Sequence, residues 1–192
     1  MQSMTGQPAI GRAFGEQRER LATLRRGDAR ASDDAIGFDE IALLAARFCA
    51  APIALVFLVD GSDVRIKSAV GITAPDVPNL HAFCEHAIRQ GDLFEVCDLA
   101  RDARFHSHWW VEGKPYLRFC ARVSIVAPDA EVLGGVCVID YTSRKLTGAQ
   151  RDTLQILAHE AMARREMNLQ TDCAARTSVT LQEFIRFGAT HV

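Results

Sequence analysis

The chain has 192 residues, 48% of them hydrophobic and 24% charged, with a formal net charge of −2. That length predicts one domain with short extensions, able to bury about 70% of its unfolded surface without a metal or disulfide staple. The balance excludes disordered, collagen-like and low-complexity chains, and neither a bilayer-spanning run nor a signal-peptide core is present in the sequence, so a cytoplasmic protein with no membrane partner is expected.

Residues 1–31 carry six arginines against three acids, a net +3, leaving −5 on the remainder. A basic arm of this kind is more simply a solvated leader than a nucleic-acid contact. Residues 1–35 are therefore expected to form a flexible extension, with no nucleic-acid partner. From there Phe38, Ile41, Leu44, Ala45 and Phe48 recur at helical spacing, with Asp33 or Asp34 placed to cap the helix. After Pro52, the run Ile53–Asp60 is apolar on both parities, the pattern of a strand covered on both faces. Gly61-Ser62-Asp63 turns the chain, and Val64–Val70 largely alternates, completing a hairpin.

Gly71–Pro78 reads as a loop, His81–Ile88 as a short helix and Leu93–Val96 as a brief strand, after which Asp98 can cap a single helical turn. No period holds from Arg101 to Gly113, a stretch carrying Phe105, His106, His108, Trp109 and Trp110. Arg118–Ala127 and Val132–Tyr141 form a second hairpin around Pro128-Asp129-Ala130. Thr147 then caps a final helix with Leu154, Leu157, Ala158 and Ala161 on one face. Gly and Pro are absent from Ala149 to Arg186, which predicts a helix outrunning the sheet; the alternative is a break near Asn168 and a loose tail. Strands arriving as hairpins predict an antiparallel sheet in an α+β domain. The expected division is a domain over 36–168 followed by a helical extension or tail over 169–192.

Four stretches, in order, resemble the GAF domain, a small-molecule sensory module of bacterial signalling proteins. They are Ile53–Gly61; Phe83-Cys84-Glu85-His86-Ala87-Ile88; Val96–Leu99 with Asp102–Phe105; and Leu133–Asp140 followed by Leu146-Thr147 and the closing helix. The resemblance spans roughly Phe38 to Met167 and is strongest to GAF domains ahead of sensor kinases and cyclic-dinucleotide enzymes. It implies a six-stranded antiparallel sheet, the first and last helices on one face, and a ligand pocket on the other under residues 80–120. It also implies a non-enzymatic sensor whose partner is a kinase or a cyclic-dinucleotide enzyme. The sequence departs from relatives at Phe119-Cys120-Ala121-Arg122, where an aromatic is usually followed by small residues.

The residues expected to contact ligand are Phe83, Cys84, His86, Phe105, Trp109, Trp110, Tyr116, Arg118 and Cys120. The aromatics can stack on a planar ligand. Arg118 and Arg122 share a strand parity and, facing the pocket, can bind a carboxylate or phosphate; a solvated strand face is the alternative. Asp98 and Asp102 read as helix caps, with Asp102 and Arg104 bracing the loop. Six cysteines lie no closer than 13 positions apart, so zinc and Cys-x-x-Cys redox spacing is absent. On a helix, Cys84 and His86 point about 200° apart, which disfavours a joint metal site. Haem ligation by His86 is weaker than a structural role, and the Cys-His dipeptide of bilin-carrying relatives is missing; the sequence assigns neither ligand nor cofactor. The competing activity is that of a GAF-type free methionine sulfoxide reductase using Cys84, Cys97 or Cys120, and a structural dimerisation module is the third reading. A homodimer is expected through residues 38–50 and 150–170, with Met162, Leu169 and Ala174 as contact candidates beyond the sheet-covering stripe.

Overall fold

Runs of β-branched and aromatic residues separated by short turns build the frame. The computed structural model describes residues 37–60, 63–72 and 92–188. Its strands are β1 (Ile53–Asp60), β2 (Asp63–Val70), β3 (Leu93–Val96), β4 (Phe119–Val126) and β5 (Val132–Asp140). Its helices are α1 (Phe38–Phe48), the single turn α2 (Trp109–Glu112) and α3 (Gly148–Gly188). The strands form one antiparallel sheet in the order β2-β1-β5-β4-β3. The class is α+β, as expected. The described residues contain five strands where the resemblance implied six; the hydrophobic pattern itself holds five strand-like runs, and the sixth came from the family frame alone.

Alternation divides the sheet into two buried faces. Ala54, Val56 and Leu58 of β1 join Phe119, Ala121, Val123 and Ile125 of β4 on the face covered by both terminal helices. Ile53, Leu55 and Phe57 point the other way. This double burial explains why β1 is apolar on both parities. From α1, Phe38, Ile41, Ala42 and Ala45 enter the first core, and from α3 Leu154, Leu157, Ala158 and Ala161. The alanines let the helices approach the strands closely.

The termini of the helices are held by specific groups. The N-cap of α1 is Gly37 at φ 90°, without a side-chain cap, rather than Asp33 or Asp34, which lie outside the described residues. Gly37 also sits against Arg164 of α3: a methyl group there would come within 2.7 Å of the Arg164 Nη1. At the other end, Arg144 donates to the carbonyls of Cys49 and Ala50, and Gln150 Nε2 donates to the Cys49 carbonyl at 3.1 Å. Cations and donors there satisfy orphan carbonyls and oppose the helix dipole. Since Gly37 meets Arg164 while Cys49 meets Gln150, α1 and α3 run antiparallel.

Thr147 caps α3 as expected, and reciprocally. The Gln150 amide donates to Thr147 Oγ1 at 3.2 Å, and the Thr147 amide donates to Gln150 Oε1 at 3.0 Å. The helix runs unbroken through Asn168 for 41 residues, about 60 Å at 1.5 Å per residue. Leu157 is only 6% exposed and lies with Leu154 and Ala161 in the core, on the expected sheet-covering stripe; Met162 is partly buried against the same core. Among the described side chains of the two terminal helices, the large apolar ones left exposed are Leu44, Phe48, Ile156, Met167 and Leu169. Among the described residues no helix is long and apolar enough to cross a membrane.

Candidate functional site

The second face of the sheet, away from α1 and α3, is where the chemistry-bearing residues collect. Its floor is made by Ile53, Leu55 and Phe57 of β1, Phe94 and Val96 of β3, Cys120 of β4, and Cys137 and Ile139 of β5. The segment between β3 and β4 folds over it, contributing Leu99, Phe105, Trp110, Val111 and Leu117. Phe94 and Phe105 meet edge to face at 6.0 Å and 66°, and His108 lies tilted at 39° against Trp110, 4.9 Å away. Arg104 extends its guanidinium over both phenylalanines, at 5.2 and 5.3 Å, while Asp102 holds it by hydrogen bonds of 2.9 and 2.7 Å. The expected Asp102–Arg104 brace is present.

Arg122 lies on this face with no exposed surface. Its Nη1 donates to Ser124 Oγ at 2.8 Å, and Ser124 is itself buried. The stem of Arg122 crosses Gly135 of the neighbouring strand. A methyl group on Gly135 would come within 3.0 Å of Arg122 Cγ and Cδ and of Phe57 Cζ, so a larger residue there would oblige both side chains to give way. A solvated strand face is thereby replaced by a cation in the interior, a placement that is costly unless hydrogen bonds and opposite charge compensate it. The sequence signal for Arg122 was its departure from the small residues of relatives. Ser124, two positions on in the same strand, shares its face by simple alternation, whereas no sequence signal marked Phe57 as a neighbour, because that depends on the β1-β5-β4 register.

The predicted contact residues divide by location. Phe105, Trp110 and Cys120 come together in the second-face cluster, each 3% exposed or less. Trp109 and Tyr116 are each 48% exposed and stand apart from it. Neighbours on one helical turn, Trp109 and Trp110 point about 100° apart, so one is outside when the other is inside. Arg118 precedes β4 by one residue, and its Nη1 donates to the carbonyls of Val111 and Leu117, at 2.8 and 2.9 Å, tying the covering segment to the strand. Phe83, Cys84 and His86 lie outside the described residues. Asp98 forms a turn rather than a helix cap, accepting from the Ala100 amide at 3.1 Å. Among the described residues no three His, Cys, Asp or Glu stand together as metal ligands.

Sequence reasoning missed Glu95. It is the outward member of β3 between Phe94 and Val96, and its side chain reaches the start of α3. Oε1 accepts from the Leu146 amide at 2.8 Å, and Oε2 accepts from Arg151 Nε and Nη2 at 3.1 and 2.8 Å. The partners are 51 and 56 residues away, beyond any local pattern. One short strand thus touches the aromatic cluster with one face and grips the long helix with the other.

A sequence profile of the GAF domain matches residues 37–164. The chain belongs to the GAF domain family. GAF domains are sensory, ligand-binding domains, and they often accompany HD or phosphodiesterase effector domains. Over 129 residues this GAF domain is 33% identical to a cyclic di-GMP phosphodiesterase of Pseudomonas aeruginosa, an overlap of 66% of the chain and 22% of that protein. The chain therefore spans less than a quarter of that relative. Among solved structures, the GAF domain/HD domain protein from Geobacter sulfurreducens matches with a TM-score of 0.58 at 13% identity, over 77% of this chain and 98% of that one. The PixJ GAF domain of Thermosynechococcus elongatus, in its blue-light-absorbing form, matches with a TM-score of 0.55 at 16% identity, over 75% and 92%. These identities establish the shared fold alone. Within this GAF fold the Gly134-Gly135 pair has a local cause: side chains there would strike the Phe57 carbonyl and the Arg122 stem.

Proposed function

We propose that this GAF domain is a cytoplasmic, non-catalytic sensor that binds a small ligand bearing an acidic group on the second face of its sheet. The observation that carries this reading is Arg122, a guanidinium without exposed surface in a floor of Phe57, Cys120 and Cys137 under Phe105 and Trp110. Guanidinium recognises carboxylate and phosphate by paired hydrogen bonds, and such bonds are strong where water is excluded. Aromatic walls add stacking of about 1 kcal/mol per contact beyond burial.

Binding is relayed through β3. A ligand that shifts Phe94 or Val96 moves Glu95 between them, and Glu95 holds Leu146 and Arg151 at the root of α3. The output is a homodimer built on the terminal helices. Ile156, Ala163, Met167 and Ala174 are exposed and stack along one side of α3, opposite Leu154 and Ala158. The likeness to a cyclic di-GMP phosphodiesterase supports a cyclic-dinucleotide enzyme, ahead of a kinase, as the partner that reads this helix.

The test is native mass spectrometry of freshly purified protein, with thermal-shift titration against small carboxylic acids and mono- and dinucleotides. A stabilising acid whose effect disappears in Arg122→Met supports the reading. A retained mass with no acidic group, or a shift indifferent to Arg122→Met, refutes the anchoring role.

A further inference from the structure

Cys120 and Cys137 place their sulfurs 3.5 Å apart, in van der Waals contact and fully buried. They stand on adjacent central strands and point to the same face. Cys120 is opposite Ile139 and Cys137 opposite Arg122, so the thiols meet on the diagonal between two cross-strand pairs. A disulfide needs its sulfurs at about 2.05 Å, a closure of about 1.5 Å from the contact seen here. The other described cysteines offer nothing similar: Cys49 is buried on the helix face, and Cys97 and Cys173 are exposed.

We infer that Cys120 and Cys137 form a redox-modifiable dithiol, oxidised by a hydroperoxide to a cross-strand disulfide in the floor of the second face. The inference stands on the sulfur contact and the strand register, and does not depend on an acidic ligand. In the first step one thiol loses its proton and the sulfur attacks the peroxide. The O–O bond breaks, water or an alcohol leaves, and a sulfenic acid forms. In the second step the other sulfur attacks the sulfenic sulfur, the S–S bond forms, and hydroxide leaves to become water with the displaced proton. Two electrons pass from the sulfur pair to one peroxide. Because both sulfurs are buried, reaction proceeds through local opening, and is slower than at exposed Cys97 and Cys173.

Trypsin resolves the two sites. Cleavage after Arg118, Arg122 and Arg144 separates the four-residue peptide 119–122, with Cys120, from the peptide 123–144, with Cys137. The full chain is exposed to hydrogen peroxide under native conditions, alkylated, and digested without reduction. The expected result is a linked peptide two hydrogens lighter than the sum of its parts, absent after dithiothreitol. An independent probe is phenylarsine oxide, a trivalent arsenical that needs two adjacent thiols. One equivalent is expected to be lost on Cys137→Ala and retained on Cys97→Ala. The proposal is overturned if Cys120 and Cys137 remain free thiols once Cys97 and Cys173 are fully oxidised. It is equally overturned if Cys120 is recovered linked to a different cysteine.

Discussion

Replacing Glu95 by alanine tests whether β3 is mechanically joined to α3. The substitution removes one acceptor for the Leu146 amide and a two-point contact with Arg151, whose side chain is 31% exposed against 12% for Glu95. Hydrogen bonds to charged groups contribute about 1.5–3 kcal/mol each when buried, and exposed ion pairs about 0–1 kcal/mol. The Leu146 amide is the more sheltered partner and the Arg151 pair is part-solvated. The expected cost of Glu95→Ala is therefore about 2–3 kcal/mol, and the Glu95–Arg151 coupling about 1 kcal/mol. For a chain of this size each kcal/mol corresponds to about 2–4 °C in Tm, so the single variant should melt roughly 5–10 °C lower. The assay is urea unfolding of Glu95→Ala, Arg151→Ala and the double variant, closed as a thermodynamic cycle. A coupling below about 0.3 kcal/mol, or a Glu95→Ala cost under about 0.5 kcal/mol, would refute the junction.

Three further outcomes follow from the same geometry. Burial pushes the Cys49 thiol from 9.0 up to about 11, with Arg144 opposing weakly. The native state therefore holds a proton the unfolded chain gives up: stability is full below pH 9 and falls from there to about pH 11, by up to about 2–3 kcal/mol. Cys49→Ala should flatten that stretch of the stability–pH curve, measured against the parent, and an unchanged slope would contradict it. Ile156→Glu with Met167→Glu should convert a dimer to a monomer in sedimentation with little change in Tm, both residues being exposed; a dimer that survives the pair places the interface elsewhere. Acrylamide should quench the Trp110→Phe variant, which retains exposed Trp109, several-fold more strongly than Trp109→Phe; equal quenching would contradict the assigned inside and outside positions.

What was legible in the sequence depended on distance along the chain. Strand runs, the Thr147 cap and the Asp102–Arg104 brace are contained within a few residues, and local chemistry decides them. The N-cap of α1 escaped because Gly37 takes that position in a left-handed conformation, φ 90°, which the usual preference for Asp at helix starts does not register. Arg118 was expected to face ligand as a strand residue; the strand begins one residue later, and carbonyls at 111 and 117 capture its guanidinium. Periodicity placed Leu154, Leu157 and Ala161 on the stripe that covers the sheet, but it did not show that Met162, offered for a partner, packs against the same core. The meeting of Cys120 with Cys137, and of Arg122 with Phe57 over Gly135, are products of register, fixed only when three strands align. The fold class was accessible because it averages many local preferences. The site was only partly accessible because single long-range contacts define it.

The antiparallel pairing of α1 with α3 has an architectural consequence. The described fold starts at Gly37 beside Arg164, after which α3 carries the backbone on to Gly188. The start of α1 and the point where α3 leaves the sheet thus lie together on one side, with the candidate site on the opposite side. A unit wired this way behaves as a plug-in cartridge: it can be spliced between other domains without its sensing surface being blocked by what is joined to it. Anything joined through α3 inherits the orientation of a stiff rod. Its length in helical turns fixes the angle at which a downstream domain is presented, so inserting or deleting residues there would rotate the output by about 100° per residue.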